Sequence, residues 1–541
     1  MTRTSTVLTV AGVTLISGVL AYAVYFDYKR RNDATFRKKL RKEKKKVDKH
    51  LARSQGDASA SLSPQELRQA LEKVRSEDMP VSSEQREQFF MTQVGMGEQL
   101  CTQGPAFHLP AALCFYRALR VYPSPVELIV IYQKTVPEPV FKIVMDLMNM
   151  DVKERVEGYY STFPPKDMNV KVTQRDIGEG KRKILAAAKD FKAGDVIYKE
   201  QPVVAALDLD LEGKGTHCSH CLRQIQKGMA IPAEDDRLGA VYCSKDCQVK
   251  SKVQYQNILF GSEPLLPPEL APDMTNHEER KKAQEAFVEY LRNRGKAVPL
   301  LVSKFLARQI AHETAKMVPG TSPLAAEPVT DGDYTLYDHI ERLRYLETTI
   351  PEEEVGLVSE VLKNALPGIE SFSSDERQAI LAGKMAYNAI GVCPGGGRDD
   401  KPAPTDRPED QERARTPYGT SRQIGCGLYA VSSYINHSCD PNARPSFGSG
   451  TAELTLIANR DIKEGEEITI AYVDVSQHPG ETPVEARRRR RIELARGWRF
   501  ACTCPKCMSE GAMEANERDS DVPDQKDESK VEAVVQRLEG S

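Results

Sequence analysis

Seven of the twelve cysteines in this 541-residue chain fall into two groups whose spacing suits a metal ion. Cys218 and Cys221 lie in HCSHC, and Cys243 and Cys247 lie in YCSKDCQ. Cys502, Cys504 and Cys507 form the second group, in CTCPKC. Three thiolates do not close the tetrahedron that zinc requires, and Cys439 is a candidate to complete it. Thiols in such sets argue for a reducing compartment, where they hold metal rather than pair as disulfides. The alternative, buried cysteines without a ligand, fits the paired spacing poorly.

The second chemistry-bearing stretch runs Asn436-His437-Ser438-Cys439-Asp440-Pro441-Asn442, followed by Gly465-Glu466-Glu467-Ile468-Thr469-Ile470-Ala471-Tyr472. With the cysteine run after Phe500, these segments in this order resemble the SET lysine methyltransferases and their post-SET cluster. Residues 215–250 narrow the resemblance to SET-and-MYND-like enzymes, in which a zinc module splits the SET domain. The resemblance implies methyl transfer from S-adenosylmethionine to a lysine amine of a protein. Such a transfer needs a neutral amine in line with a sulfonium methyl, in a narrow apolar channel that excludes water.

By the same resemblance, Tyr472 is the catalytic tyrosine at the methyl-transfer pore. The other reading of Tyr472 is a strand tyrosine whose hydroxyl is satisfied within the fold. Asn436 and His437 match the segment that wraps the cofactor in a knot-like crossing. Phe500 matches an aromatic that stacks on the adenine, and Asn388 matches a further cofactor contact. Cys439 is the fourth zinc ligand of the post-SET set, so one zinc would clamp that segment over the cofactor. The set Cys218, Cys221, Cys243 and Cys247 resembles the first site of a MYND finger. Residues 222–242 and 248–276 hold no further Cys or His, so the module is a half-MYND with one zinc, giving two zinc ions in all. The glycine-rich cofactor loop of the family reads roughly Gly-Lys-Gly-Arg-Gly-Leu. Here it reads Gly178-Glu179-Gly180-Lys181-Arg182-Lys183-Ile184-Leu185, with Gly178 and Gly180 as the matching cofactor-binding positions. Glycine permits close backbone approach to a ligand, so the shifted pattern bears on cofactor affinity.

The elements around these residues follow from periodicity. Lys183 to Ala206 alternates toward β, with a turn at Ala193-Gly194-Asp195. Strands are expected again at Gly427 to Ile435, Ala452 to Asn459 and Glu467 to Tyr472. Residues 251–385 read as a helical insertion. Residues 394–417 are polar and rich in Pro and Gly, which predicts disorder. The acidic tail, 508–541, is expected to be disordered too. The SET region spans 170–510, with its post-SET zinc segment at 500–507.

Residues 7–26, VLTVAGVTLISGVLAYAVYF, are twenty residues without a charge, enough to cross a bilayer. Only Arg3 precedes them, whereas twelve Lys or Arg fall within residues 29–49. This asymmetry predicts a single-pass anchor over residues 1–28, with the N-terminus across the membrane and the bulk in the cytosol. A secretory signal peptide cleaved near Ala21-Tyr22-Ala23 is the alternative, and the thiol sets argue against it. Residues 29–63 read as a basic helix and a small-residue linker. Ser63-Pro64-Gln65-Glu66 then starts a helix: a Ser cap, Pro at the first position and an acid in the first turn.

From 64 to 150 the pattern is helical, broken at Gly104-Pro105, Tyr122-Pro123 and Val136-Pro137. Ala111, Phe115, Ala118 and Pro123 match the second helix of a tetratricopeptide repeat. The stretches FFMTQVGMGEQL and AALCFYRALRVYPSPVELIVIYQKTVPEPVFKIV resemble the small presequence receptor of the mitochondrial outer-membrane translocase, in its fungal form. The anchor and the run FDYKRRND belong to the same resemblance, which covers about residues 1–150. It implies binding of presequence peptides, association with other translocase subunits, and residence in the mitochondrial outer membrane with the N-terminus in the intermembrane space. Presequences are basic amphipathic helices, so their receptor needs a shallow apolar groove. The matching positions are Phe90, Met91 and Val94 on one helix, Leu128, Ile131 and Tyr132 on another, and Glu127 at the rim. From periodicity alone these same residues read as core.

Charge is balanced, with 75 Lys and Arg against 78 Asp and Glu, which excludes general nucleic-acid binding. The expected architecture is multidomain: a transmembrane helix, an all-α TPR-like receptor domain, then an α+β SET domain. That last domain has small sheets, a pseudo-knot, a half-MYND insert and a helical insertion. The expected function is a presequence receptor fused to a protein-lysine methyltransferase of unknown substrate. Three other readings stay open: an import receptor whose SET part is only a zinc-held scaffold, a chain that is primarily a membrane-tethered methyltransferase, and two neighbouring genes read as one.

Overall fold

The computed structural model describes residues 63–77, 80, 83–122, 125–176, 181–265, 277–317, 334–366, 373–403 and 405–518. The apolar segment 7–26 lies outside them. Among the described residues no helix is long and apolar enough to cross a membrane. The chain divides into two compact units, Met1–Tyr159 and Tyr160–Ser541.

The first unit is helical: α1 (Pro64–Arg75), α2 (Ser83–Cys101), α3 (His108–Val121), α4 (Pro125–Thr135) and α5, which starts at Glu138 and runs to Thr162. The expected cap is present, since Ser63 Oγ accepts from the Glu66 N–H at 3.2 Å and the Glu66 carboxylate accepts from the Ser63 N–H at 3.0 Å. Leu67, Leu71 and Val74 give α1 one apolar face, and it packs into a core with Ala111, Phe115 and Ala118 of α3. Gly97 lets α2 lie close, because a Cβ there would stand 3.0 Å from the Phe115 ring. Phe115 in turn meets Tyr132 of α4 edge-on, ring centroids 5.0 Å apart.

The second unit is built of small sheets with helices around them. β1 (Val170–Asp176) pairs antiparallel with β2 (Lys181–Ala187). β3 (Val196–Glu200) and β4 (Val204–Leu207) go to different three-stranded sheets. β5 (Ile231–Pro232) and β6 (Val241–Tyr242) form a ribbon inside the cysteine-bearing insert, which ends in α6 (Lys245–Ser251) and α7 (Asn257–Phe260). The helical insertion follows: α8 (His277–Arg294), α9 (Val298–Met317), α10 (Leu336–Glu341), α11 (Glu352–Ala365) and α12 (Asp375–Asn388). β7 (Ile390–Val392) and β8 (Gly425–Leu428) join β4 in the order β4-β8-β7. β9 (Asn436–His437) is paired in parallel with β12 (Thr469–Ile470), and β10 (Ala443–Ser446) and β11 (Leu454–Ala458) join β3. α13 (Pro483–Trp498) and α14 (Pro505–Arg518) close the described chain.

Three expectations are corrected. The strand expected over Gly427 to Ile435 stops at Leu428 and gives way to a short 3₁₀ turn at Ser432–Tyr434. The cause is Glu200, a buried carboxylate that accepts from the Val431 N–H (2.7 Å), the Ser432 N–H (2.9 Å) and the Ser432 hydroxyl (2.6 Å). The segment 394–417 is not disordered. Arg398 makes a two-pronged pair with Asp210 at 2.7 Å, Glu412 caps the Ala297 and Val298 N–H groups at 2.8 Å, and Arg415 and Thr416 are fully buried. Its composition offers little apolar surface, but each of these polar groups finds a buried or half-buried partner, and that suffices to pack it. The tail is helical to Arg518, because α14 starts inside the cysteine run and Glu510 pairs with the buried Arg490. Residues 519–541 lie outside the described residues.

Candidate functional site

The two cysteine sets form as grouped, with Cys439 completing the second. Cys218, Cys221, Cys243 and Cys247 hold their sulfurs within 4.8 Å of one another, and so do Cys439, Cys502, Cys504 and Cys507. All eight are free thiols. Sulfur separations run 3.6 Å for Cys221–Cys243, 3.7 Å for Cys243–Cys247, 3.5 Å for Cys439–Cys507 and 3.9 Å for Cys439–Cys502. Four sulfurs at about 2.3 Å from a tetrahedral zinc stand about 3.8 Å apart, so both sets fit that ion. A disulfide, at about 2.0 Å, is excluded by the same distances.

The first set is self-supporting. The Leu222 N–H closes a turn on the Cys218 carbonyl at 2.9 Å, with Leu222 itself at φ +63°. Ile225, Ala240 and Tyr242 pack with Cys218 in a small core of their own. Lys304, fully buried, donates to the Ala205 and Ser219 carbonyls at 3.0 and 3.4 Å, and burial pushes its pKa down.

The second set is wired into the tyrosine. β9 and β12 run side by side, so Asn436 and His437 stand opposite Thr469 and Ile470, two residues before Tyr472. The Tyr472 N–H donates to His437 Nδ1 at 3.0 Å, and His437 Nε2 lies 3.2 Å from the Cys439 sulfur. Because Nδ1 accepts, the ring proton sits on Nε2, facing the sulfur. Burial lowers the His437 pKa to about 3, so the ring is neutral. The Tyr472 hydroxyl donates to the Ile435 carbonyl at 2.6 Å. Burial raises its pKa to about 12, with Arg415 opposing, so the hydroxyl keeps its proton at neutral pH.

Two residues that pattern reading missed complete this centre. Arg415 lies under the Tyr472 ring, 4.3 Å from its centroid, and donates to the Tyr387 and Ser433 carbonyls at 2.9 and 3.1 Å. Trp498 packs on Tyr472 at 5.3 Å and donates its indole N–H to the Tyr387 carbonyl at 3.0 Å. Being the single tryptophan of the chain was the one signal for Trp498. Arg415 sat inside a segment whose composition pointed to disorder.

The remaining candidates divide. Asn436 accepts from Arg182 Nε at 2.9 Å and donates to the Lys183 carbonyl (3.3 Å) and to Glu467 (2.9 Å). Phe500 stands half-exposed, 6.1 Å from the His437 ring. Asn388 is buried, and its amide is taken within the fold: it donates to the Arg344 and Lys384 carbonyls at 2.7 and 2.9 Å and accepts from Arg415 at 2.8 Å. It holds Arg415 in place, and those bonds leave it no free donor for a ligand. Gly178 and Gly180 lie outside the described residues.

In the first unit, Phe90 and Met91 are half-buried, whereas Val94, Leu128, Ile131 and Tyr132 are buried. Val94, Leu128 and Tyr132 belong to the central apolar cluster. The structure thus brings those three together as core, which is the periodicity reading, and leaves Phe90 and Met91 partly accessible. The side chain of Glu127 lies outside the described residues.

A SET centre in one unit and a helical receptor fold in the other define the class of protein. The SET domain family matches residues 182–473, more than half the chain, and the chain belongs to that family. The MAS20 protein import receptor family matches residues 8–161, and the N-terminal part belongs to it. The mitochondrial import receptor subunit tom20 of Neurospora crassa is 38% identical over 153 residues, covering 28% of this chain and 83% of that one. The protein-lysine N-trimethyltransferase SMYD5 of Homo sapiens is 25% identical over 388 residues, covering 63% and 87%. The histone-lysine N-methyltransferase ATXR4 of Arabidopsis thaliana is 26% identical over 387 residues, covering 70% and 94%.

Proposed function

We propose that the chain is a presequence receptor of the mitochondrial outer membrane that carries its own protein-lysine methyltransferase. The observation that carries the enzymatic reading is the state of Tyr472. Its O–H proton is committed to the Ile435 carbonyl, so its oxygen is left as an acceptor that can orient a lysine amine. Arg415 beneath the ring adds a positive charge that disfavours an ammonium nearby, so an arriving lysine is pushed toward the neutral, nucleophilic amine. S-adenosylmethionine, when bound, supplies an electrophilic methyl group. On this chain Asn436, Phe500 and the Gly178–Gly180 segment would hold it, and the His437 contact keeps Tyr472 in register. Each cysteine set would hold one zinc ion. Tritium transfer from labelled cofactor to a mitochondrial extract tests the enzyme, and a chain that binds cofactor yet transfers nothing would leave the scaffold reading. One observation favours that reading: Arg182, where the pattern aligned on Gly178 and Gly180 carries its third glycine, brings in a side chain that donates to Asn436 at 2.9 Å.

The receptor reading rests on the tom20 relative and on the Gly97–Phe115 packing of paired helices. It includes a TPR-like hairpin, an anchor at residues 7–26, and translocase subunits as neighbours. Phe90 and Met91 would offer a presequence its first apolar contact, and the buried Leu128 and Ile131 would line the groove only if the helices part. One modest apolar face supports micromolar affinity or weaker. Titration of the chain with a basic amphipathic peptide should show this, and binding unaltered by Ile131→Asp would remove the groove assignment. A tag after Ser541 that survives protease treatment of intact mitochondria would overturn the cytosolic orientation.

A further inference from the structure

Arg487, Arg488, Arg489, Arg490 and Arg491 form a run of five arginines on α13. A solvated basic helix would account for such a run, yet two of its members are buried. Arg487 Nε donates to the Cys507 carbonyl at 2.8 Å. Arg490, three residues on and so on the same helix face, has a side chain only 1% exposed. One of its terminal nitrogens pairs with Glu510 on α14, itself nearly buried. Its Nε is buried with no hydrogen-bond partner. Burial pushes the Arg490 pKa down, but the sulfurs of Cys439 and Cys507 and the Glu510 carboxylate act on it and hold it above its ordinary value.

A lone carboxylate does not account for this arrangement. Burying an arginine requires compensation on each donor, and Glu510 satisfies one end only. Four thiolates on a divalent ion leave a buried cluster with a net double negative charge, which needs cations close by as much as Arg490 needs anions. His437 already offers Nε2–H to the Cys439 sulfur. At the first cysteine set the neighbouring buried cation, Lys304, donates to carbonyl oxygens and not to a sulfur.

We propose that Arg490 is the counter-charge of the Cys439, Cys502, Cys504 and Cys507 set, stabilising its zinc-bound form. The inference rests on the reading that this set holds zinc. The role is a positioning one, exerted through the sulfurs. It also explains why α14 closes over the set: Glu510 takes the remaining edge of the same guanidinium.

The test measures zinc release from the full-length, detergent-solubilised chain to a chromogenic chelator, with native mass spectrometry counting the ions. The wild-type chain should release two zincs in two phases. Arg490→Gln should speed one phase roughly tenfold or more, the size typical of outer-shell changes at metal sites, and leave the other phase unchanged. The unchanged phase shows that the variant is folded. Arg490→Lys should restore much of the slow release, because it keeps the charge. Glu510→Gln should change release much less than Arg490→Gln. Equal release from Arg490→Gln and wild type overturns the proposal. So does Glu510→Gln matching Arg490→Gln, since Arg490 would then act only as a pin for α14. A wild-type chain that holds one zinc would instead remove the reading of the second set as a metal site.

Discussion

The two cysteine sets have nearly the same sulfur geometry and opposite surroundings. Cys218, Cys221, Cys243 and Cys247 sit in a small apolar core and meet the rest of the unit through backbone carbonyls, the Cys221 carbonyl accepting from the Ala452 N–H at 2.8 Å and the Ser219 carbonyl from Lys304 at 3.4 Å. Cys439, Cys502, Cys504 and Cys507 are joined through His437 to the backbone of Tyr472, and through Cys507 and Arg487 to α13. The same arrangement of four sulfurs is therefore joined to backbone carbonyls in one place and to the backbone of Tyr472 in the other. What differs is the second layer of contacts, which for metal sites decides as much as the ligands do.

The largest effect expected from this contrast is on activity. Cys504→Ser should remove one zinc and abolish both cofactor binding and methyl transfer, whereas Cys221→Ser should remove one zinc and leave a measurable fraction of activity. Metal analysis beside calorimetry and a transfer assay checks both, and equal loss in the two variants would erase the contrast. Next comes Tyr472→Phe, which removes one hydroxyl without disturbing the His437 contact to the backbone. Transfer should fall about 10²–10⁴-fold while cofactor affinity is unchanged, the range for a positioned proton-handling group. A proportionate loss of affinity would make Tyr472 a binding residue instead.

Arg415→Met should be smaller but still clear. It leaves the Ser433 carbonyl and the Asn388 amide oxygen without their buried donor, while the Tyr387 carbonyl keeps the Trp498 indole, and each acceptor so orphaned costs about 1–3 kcal/mol. A urea midpoint shift below about 1 kcal/mol would show that water replaces the guanidinium. The smallest effect concerns pH. Burial raises the Glu200 pKa to about 6 from an ordinary 4.5, against hydrogen bonds from Ser432, Val431 and Ala430 that lower it. The folded state thus binds this proton more tightly than the unfolded state. Its stabilising share is present below pH 4.5 and is lost as pH rises through about 6, amounting to about 2 kcal/mol. Stability of the chain minus that of Glu200→Gln should fall by that amount between pH 4 and pH 7. A flat difference would mean that the hydrogen bonds cancel the burial, and a rising one that they outweigh it.

How much of the site could be read beforehand depends on the kind of signal. Cysteine spacing carries its meaning locally, because two residues between thiols already bring them to one turn. The sets at 218–247 and 502–507 were therefore visible as strings. So was the helix start at Ser63, where cap, proline and acid all lie within four residues. Burial of polar residues has no such local signature. Arg415, Glu412 and Arg398 look like solvated charges until their partners, distant in the chain, are brought to them. The groove positions stay ambiguous in sequence for a related reason: Val94, Leu128 and Tyr132 repeat at helical spacing whether they face a ligand or a neighbouring helix.

The sequence by itself determined the two families joined in this chain, the eight clustered thiols and the tyrosine that follows Gly465-Glu466-Glu467. These rest on residue identity and short-range order, which survive without coordinates. Only the tertiary structure decided what those thiols are connected to. The parallel pairing of Asn436–His437 with Thr469–Ile470 places an imidazole between Cys439 and Tyr472, and nothing in the spacing of either segment encodes that contact. The physical reason is that parallel strands require a long crossover, so their register is fixed by packing across the whole unit and not by the chain on either side.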